Sequence, residues 1–249
     1  MKRLTLPSLA LLPLLLAAAP IAPPPSYLAC LAQARQTPET AIASATAWRL
    51  AGGGVPARHC LGLAYLGAGK FAQAALAFEQ AAMVAATENS KLTGDLWGQA
   101  GNAQLLAGDA QAALTDLDAA LKASVAAPGV RLGELRIDRA RALVELGKLA
   151  DARADLDTAV KLAPSDPVGW LLRATLARRE GRYADAEVSL ATALKLAPTD
   201  PAALLEAGNL AGMQGDIDSA RTRWQAAVAT APKSEAGQAA AKALAANPG

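Results

Sequence analysis

Three consecutive blocks of 34 residues, joined without a gap, fill the stretch from Gly133 to Ser234. A proline, a glycine and an alanine each recur at this period: Pro164, Pro198 and Pro232; Gly147, Gly181 and Gly215; Ala152, Ala186 and Ala220. Self-similarity at a period of about 20 to 50 residues indicates a repeat architecture, in which each unit buries its apolar surface against its neighbours. The chain is therefore predicted to fold as a stack of units.

The second of these blocks predicts two helices separated by a tight turn. Trp170, Ala174 and Ala177 recur at the three-to-four spacing of one helix face. Gly181 is expected to end this first helix, because glycine adopts the left-handed conformation of a helix C-terminus at little steric cost. A second apolar stripe follows and ends at Pro198, whose ring disfavours helix in the residue before it.

The period and its landmarks resemble the tetratricopeptide repeat (TPR), a helix-turn-helix unit. Val55 to Glu88 carries the pattern most fully, with Leu61-Gly62-x-x-Tyr65, Gly69, Ala74-x-x-x-Phe78 and Ala81. The resemblance implies an all-α fold, a right-handed TPR α-solenoid of antiparallel helix hairpins. The expected units are a degenerate N-terminal hairpin cap (26–54), five repeats (55–88, 94–127, 133–166, 167–200 and 201–234) and a C-terminal capping helix and tail (235–249).

Small residues occupy the points where the two helices of a hairpin are expected to approach closely. They are Gly101, Ala140, Ala174 and Gly208 in first helices, and Ala120, Ala159, Ala193 and Ala227 in second helices. We interpret all of them as packing residues.

The N-terminus has the pattern of an export signal. Lys2 and Arg3 precede an apolar run that ends in three alanines, so residues 1–19 are predicted to be a signal peptide, followed by a Pro-rich spacer at 20–25. The run is short for a membrane span, yet Pro20 at the expected cleavage site leaves an uncleaved anchor open. We expect a periplasmic protein that contacts the membrane only if this segment is retained.

Composition and motifs narrow the class of function. A net charge of +2, with no basic patch interleaved with aromatic residues, argues against a nucleic-acid partner. The sequence has no Gly-rich phosphate loop and no nucleophile elbow. We therefore expect no enzyme activity, no cofactor and no metal site.

The two cysteines are predicted to form a disulfide. Cys30 falls on the first helix of the cap and Cys60 on the first helix of the first repeat, and such helices pack side by side. Two reduced, buried thiols are the alternative. The sole histidine, His59, is expected on the surface or in the groove.

An acidic run on one helix, made of Asp151, Asp155 and Asp157, has two interpretations. We favour a solvated helix face for these carboxylates over a calcium site.

The family resemblance implies that the first helix of each repeat lines a concave groove. The polar residues expected there are Gln99, Asn102, Asp138, Arg141, Glu145, Arg178, Arg179, Glu206 and Asn209. Neutral amides and charges of both signs suit an extended peptide. The Lys/Asn/Arg set with which some family members hold a C-terminal carboxylate is absent, because His59, Leu63, Gln99, Glu134 and Asp138 stand at those positions.

Three classes of function follow. The favoured hypothesis is a non-enzymatic interaction module or scaffold of the bacterial cell envelope, which binds a peptide or protein partner in the groove. The alternative is a structural subunit that assembles through its stacking faces. An enzyme or small-ligand carrier would need a pocket with convergent titratable groups.

Overall fold

The computed structural model describes residues 26–248, in which thirteen α-helices and no strand occur. The predicted signal peptide (1–19) and spacer (20–25) lie outside the described residues. The helices are α1 (Tyr27–Gln36), α2 (Pro38–Leu50), α3 (Gly54–Gly67), α4 (Phe71–Thr87), α5 (Thr93–Ala107), α6 (Ala110–Ala123), α7 (Gly129–Glu145), α8 (Leu149–Leu162), α9 (Pro167–Arg179), α10 (Tyr183–Leu196), α11 (Pro201–Met213), α12 (Ile217–Thr230) and α13 (Glu235–Ala246). The predicted all-α solenoid is confirmed.

Local backbone chemistry defines where each hairpin turns. The turns of the five hairpins from α3/α4 to α11/α12 contain Gly69, Gly108, Gly147, Gly181 and Gly215. All five glycines have φ between 70° and 87°, and a Cβ added to any of them would meet nothing within 4 Å. Glycine is therefore selected here by backbone conformation and not by lack of space.

Proline and aspartate start two of the first helices. The side chains of Asp166 and Asp200 accept hydrogen bonds from the backbone N–H groups of Val168 and Ala202, both at 2.9 Å. Each aspartate is followed by a proline at the first helical position, where the missing N–H costs no hydrogen bond. These residues set the junctions between the last three repeats.

The helices form two layers, one of first helices and one of second helices. From α5 to α13 each first helix contacts the next first helix, whereas in residues 26–248 neighbouring second helices make at most marginal contact. Helices on the inside of a curved stack lie closer together than those on the outside. The stack therefore curves toward the first helices, which line its concave face.

The predicted close approaches within hairpins are confirmed. A Cβ on Gly101 would overlap the side chain of Leu117, and one on Gly208 would overlap the indole of Trp224. The six alanines of the predicted set are buried, each at 1% exposure or less: Ala120, Ala140, Ala159, Ala174, Ala193 and Ala227. Small residues thus set the distance between the two helices of each hairpin.

Both ends of the stack are covered by helices outside the five repeats. At the N-terminal end, Cys30 of α1 and Cys60 of α3 form the expected disulfide, with Cα atoms 6.1 Å apart. Both cysteines are fully buried in a cluster with Ala41 and Ala64. At the other end α13 packs on α11 and α12 and buries Ala240.

The solvated face predicted for the acidic run on α8 is wrong for Asp155. Its side chain is 2% exposed and accepts hydrogen bonds from two guanidinium groups, those of Arg136 and Arg139. Asp157 is partly exposed and pairs with Arg173 at 2.7 Å, and only Asp151 is exposed with no ion pair in the described chain. The helix presents one of its carboxylates to the core because arginines on α7 reach across to it.

Candidate functional site

The nine polar residues predicted for the concave face divide into two groups. Six of them are at least partly buried and make side-chain hydrogen bonds within the protein, mostly between neighbouring repeats. The other three, Arg141, Glu145 and Arg179, are exposed and surround a single cavity. The first group explains how the face is organised, and the second locates the candidate site.

Gln99 belongs to a hydrogen-bonded chain that crosses three units. The hydroxyl of Tyr27 on α1 contacts Nδ1 of His59 on α3, and Nε2 of His59 lies 2.8 Å from Oε1 of Gln99 on α5. An amide oxygen can only accept, so His59 donates through Nε2 and its Nδ1 accepts from Tyr27. His59 thus lies in the groove, partly buried, where burial lowers its pKa despite the hydrogen bond to Gln99.

Asn102 and Asp138 form a second link, between α5 and α7. The Asn102 side-chain amide donates to Asp138 Oδ2 at 2.9 Å, and Arg141 lies 3.6 Å from the other carboxylate oxygen. Burial raises the pKa of Asp138, opposed by the hydrogen bond from Asn102 and the charge of Arg141. This carboxylate is largely occupied within the protein and is poorly placed to bind a partner.

Arg178, Glu206 and Asn209 form a third set of links at the C-terminal end of the face. Nε of Arg178 donates to a carboxylate oxygen of Glu206 at 2.5 Å, and Glu206 is only 8% exposed. The indole N–H of Trp224 donates to the Asn209 amide oxygen at 3.1 Å. Glu206 was expected to face a partner, but it is buried and forms an ion pair with Arg178.

A cavity of about 290 Å³ opens between α7 and α9 on the concave face. Arg141 and Glu145 border it from α7 and Arg179 borders it from α9. Its remaining lining is mostly apolar and consists of Ala140, Val144, Leu156, Leu172, Thr175 and Leu176. The volume lies just below the range of roughly 300–1,000 Å³ that ligand sites occupy.

Packing explains why this opening has an apolar floor. Ala140 is a small residue at a helix crossing, and beneath it Leu156 of α8 is 1% exposed. Leu176 is 2% exposed and belongs to the same buried cluster, while Val144 and Leu172 are partly exposed at its edge. The floor of the cavity is thus an extension of the hydrophobic core that reaches the concave surface.

The apolar floor was missed from the sequence, where only polar residues were predicted for this face. A signal for it was available, since Leu172 lies 34 residues after Asp138 and 34 before Glu206. One repeat therefore carries leucine where its neighbours carry carboxylates. That departure from the pattern marks the apolar stretch of the face.

The arrangement is suited to binding rather than to acid–base or nucleophilic chemistry. The titratable groups on the cavity are two guanidinium groups and one carboxylate, all on its exposed rim. Across residues 26–248 no cluster of three or more His, Cys, Asp or Glu side chains could hold a metal ion. An arginine guanidinium stays protonated and offers planar donors, which serve recognition.

The fold and this face define a helical-repeat scaffold for protein–protein interaction. Family models described as tetratricopeptide repeat match residues 137–201 and 177–247. Residues 137–247 are thus made of TPR repeats, as the sequence predicted. A TPR fold is typically a non-enzymatic interaction module.

Several solved structures share the fold at low sequence identity. A structure of pilF from Pseudomonas aeruginosa has a TM-score of 0.67 at 17% identity, over 85% of this chain and 93% of that chain. A thermophilic TPR protein of Thermus thermophilus has a TM-score of 0.61 at 22% identity, and the match covers 77% of this chain and 99% of that chain. YrrB is described as a TPR protein with an unusual peptide-binding site. Its structure has a TM-score of 0.53 at 18% identity, and the match covers 79% of this chain and 96% of that chain.

No curated protein matches the chain. Among the helices of residues 26–248, none combines the length and the apolar character that crossing a membrane requires.

Proposed function

We propose that this protein is an interaction module that binds a segment of a partner protein on its concave face, at the cavity between α7 and α9. The observation that carries the proposal is the apolar lining of that cavity, where Val144 and Leu172 are partly exposed at a point where most other candidate residues are hydrogen-bonded internally. Apolar surface left open on a folded domain favours association, because covering it removes water from it.

The polar links of the face support the same proposal. Hydrogen bonds join α1 to α3, α3 to α5, α5 to α7 and α9 to α11. They hold neighbouring first helices in register before any partner arrives. A surface that is ordered in advance loses less conformational entropy on binding than a flexible one.

Filling the cavity tests the proposal directly. We expect Thr175→Trp to place an indole over the floor and to abolish partner binding, with little change in helix content. The matched control is Thr222→Trp, which introduces the same side chain at an exposed site on α12. A partner is first isolated by affinity capture on the wild-type protein. Calorimetry should then show that the first variant no longer binds this partner and that the second variant still does.

Equal binding by both variants would place the partner surface elsewhere on the molecule. A mass that rises with protein concentration, together with no partner, would instead favour the structural-subunit alternative. Analytical ultracentrifugation of both variants separates these outcomes.

We also propose that the protein acts in the cell envelope after export. Support comes from Lys2 and Arg3 ahead of the apolar run in residues 1–19, and from a disulfide, which persists in oxidising compartments. Cell fractionation followed by N-terminal sequencing tests this. Recovery of the intact chain from the cytoplasm would contradict it.

A further inference from the structure

We infer that the partner segment presents a large apolar side chain flanked by an aspartate or glutamate, the first entering the α7–α9 cavity and the second binding Arg141 and Arg179. The inference deepens the proposed function and rests on it. It specifies the chemistry of the occupant, which the family resemblance leaves open.

The apolar side chain of the partner is inferred from the apolar residues that line the cavity. Val144 approaches from α7, Leu172 and Leu176 from α9, and Leu156 closes the bottom from α8. Three helices therefore surround one opening of about 290 Å³. A branched or aromatic side chain can fill such a space, whereas a polar side chain would lose its water against a lining in which most residues offer no hydrogen bond.

The acidic half comes from the charge balance of the rim. Arg179 is exposed and makes no ion pair with any residue of the described range. Arg141 is 46% exposed, and within residues 26–248 its one ionic contact is the 3.6 Å approach to Asp138, whose carboxylate already accepts from Asn102. Two guanidinium groups on opposite walls therefore face the opening with donors to spare.

The neighbouring arginine shows how different a satisfied guanidinium is. Arg178 adjoins Arg179 in sequence, yet it is 18% exposed and held by the buried Glu206. The lining residues of the cavity include two guanidinium groups and one carboxylate, that of Glu145, so the lining has an excess of positive charge, which the Asp138 carboxylate 3.6 Å from Arg141 partly offsets. A carboxylate beside the apolar anchor complements this charge and can accept two parallel N–H bonds from one arginine.

Selection from a random peptide library displayed on phage tests the inference. The bait is the purified chain, with the Thr175→Trp variant for counter-selection. One library has free C-termini and the other has its C-termini fused. Enrichment of an apolar residue next to Asp or Glu in both libraries is expected, because the carboxylate comes from a side chain. Enrichment only with free C-termini would mean that the chain end is recognised, which overturns the stated source.

Binding of the selected peptides to variants provides the second measurement. Arg141→Gln/Arg179→Gln should weaken binding by at least about ten-fold, because two charge-assisted hydrogen bonds are lost. The control Arg35→Gln/Arg223→Gln removes the same charge from exposed arginines outside the cavity and should leave binding unchanged. An equal loss in both double variants would overturn the inference, since it would show only a general charge effect.

The failure of this inference and of the proposed function can be told apart. Peptides that lack acidic residues but are blocked by Thr175→Trp would overturn the acidic class while leaving the cavity as the binding site. Peptides that bind the Thr175→Trp variant equally, or no enrichment from either library, would overturn both.

Discussion

Arg139 and Asp155 form a two-pronged ion pair that joins the two helices of the third repeat. Nε of Arg139 lies 2.6 Å from one carboxylate oxygen and Nη2 lies 2.7 Å from the other, while Arg136 adds a third bond at 2.7 Å. The carboxylate of Asp155 is 2% exposed, but the arginines keep contact with water. A charge buried to this degree depends on its partners.

Removing Arg139 should therefore destabilise the protein. We expect Arg139→Met to lower the free energy of unfolding by about 1–3 kcal/mol, because Arg136 alone must compensate the buried carboxylate. The double variant Arg139→Met/Asp155→Leu should recover much of this loss, since no buried charge remains. Urea unfolding at neutral pH measures both, and additive losses in the double variant would contradict the explanation.

Asp116 is the corresponding aspartate one repeat earlier, and it lacks such a partner. It lies 39 residues before Asp155, and the position matching Arg139 is Ala100. Asp116 is 6% exposed, and its Oδ2 has no hydrogen-bond partner among residues 26–248. Burial, helped by the charges of Glu79 and Asp109, raises the pKa of Asp116 from 3.8 to about 7.

The sign of the pH effect follows from this raised pKa. The folded state binds the proton of Asp116 more tightly, so this stability is present below pH 3.8 and is lost as pH rises through about 7. Asp116→Asn should raise the free energy of unfolding by about 1–3 kcal/mol at pH 8 and by little at pH 4. Thermal melts at both values, with the exposed Glu88→Gln as control, measure the difference. A gain independent of pH would point to packing instead.

The elements of this fold could be predicted because they depend on local backbone chemistry. Gly181 is favoured by its positive φ and Pro201 is well suited to the first helical position, and both preferences can be recognised from sequence spacing. The burial of Asp155 could not be predicted from local sequence. An aspartate with other charged residues near it in sequence is predicted to be exposed to solvent. The burial of Asp155 depends instead on two arginines that reach it from a different helix.

For the candidate site, the sequence could predict which residues belong to the concave face but not how their side chains pair. Repeat position predicted Arg141 and Arg179 for the concave face, and in the structure both border the cavity. Repeat position could not show that Glu206 forms an ion pair with Arg178, because that pairing depends on how two neighbouring repeats stack. Side-chain partners across a repeat interface are a tertiary property.

His59 provides a direct probe of the concave face, because it is the sole histidine of the chain. Burial lowers its pKa below 6.5, and the hydrogen bond to Gln99 opposes this shift. NMR titration of its ring protons should give a pKa below 6.5, and Gln99→Leu should lower it further. The linked stability is present above pH 6.5 and is lost as pH falls through the depressed pKa. A value at or above 6.5 would mean that the ring is solvated.

The Cys30–Cys60 disulfide should stabilise mainly the N-terminal cap. It links residues 30 positions apart, a loop for which the chain-entropy model gives about 3–4 kcal/mol. Repeat proteins lose structure locally, so Cys30→Ala/Cys60→Ala should speed hydrogen exchange in α1 and α2 more than in α9 to α12. Uniform acceleration along the chain would show that the cap and the repeats unfold as one unit.

Two glycines of α11 should respond oppositely to the same substitution. A Cβ on Gly208 would overlap the Trp224 indole and lie 3.0 Å from the Ala220 carbonyl oxygen, whereas a Cβ on Gly212 would make an ordinary 3.4 Å contact with Trp224. Gly208→Ala should therefore lower the free energy of unfolding by about 1–3 kcal/mol, because the hairpin must open. Gly212→Ala should raise it by up to about 1 kcal/mol, because alanine favours helix. Denaturant unfolding of both variants compares them within one helix, and stabilisation by both would show that the α11–α12 contact yields without cost.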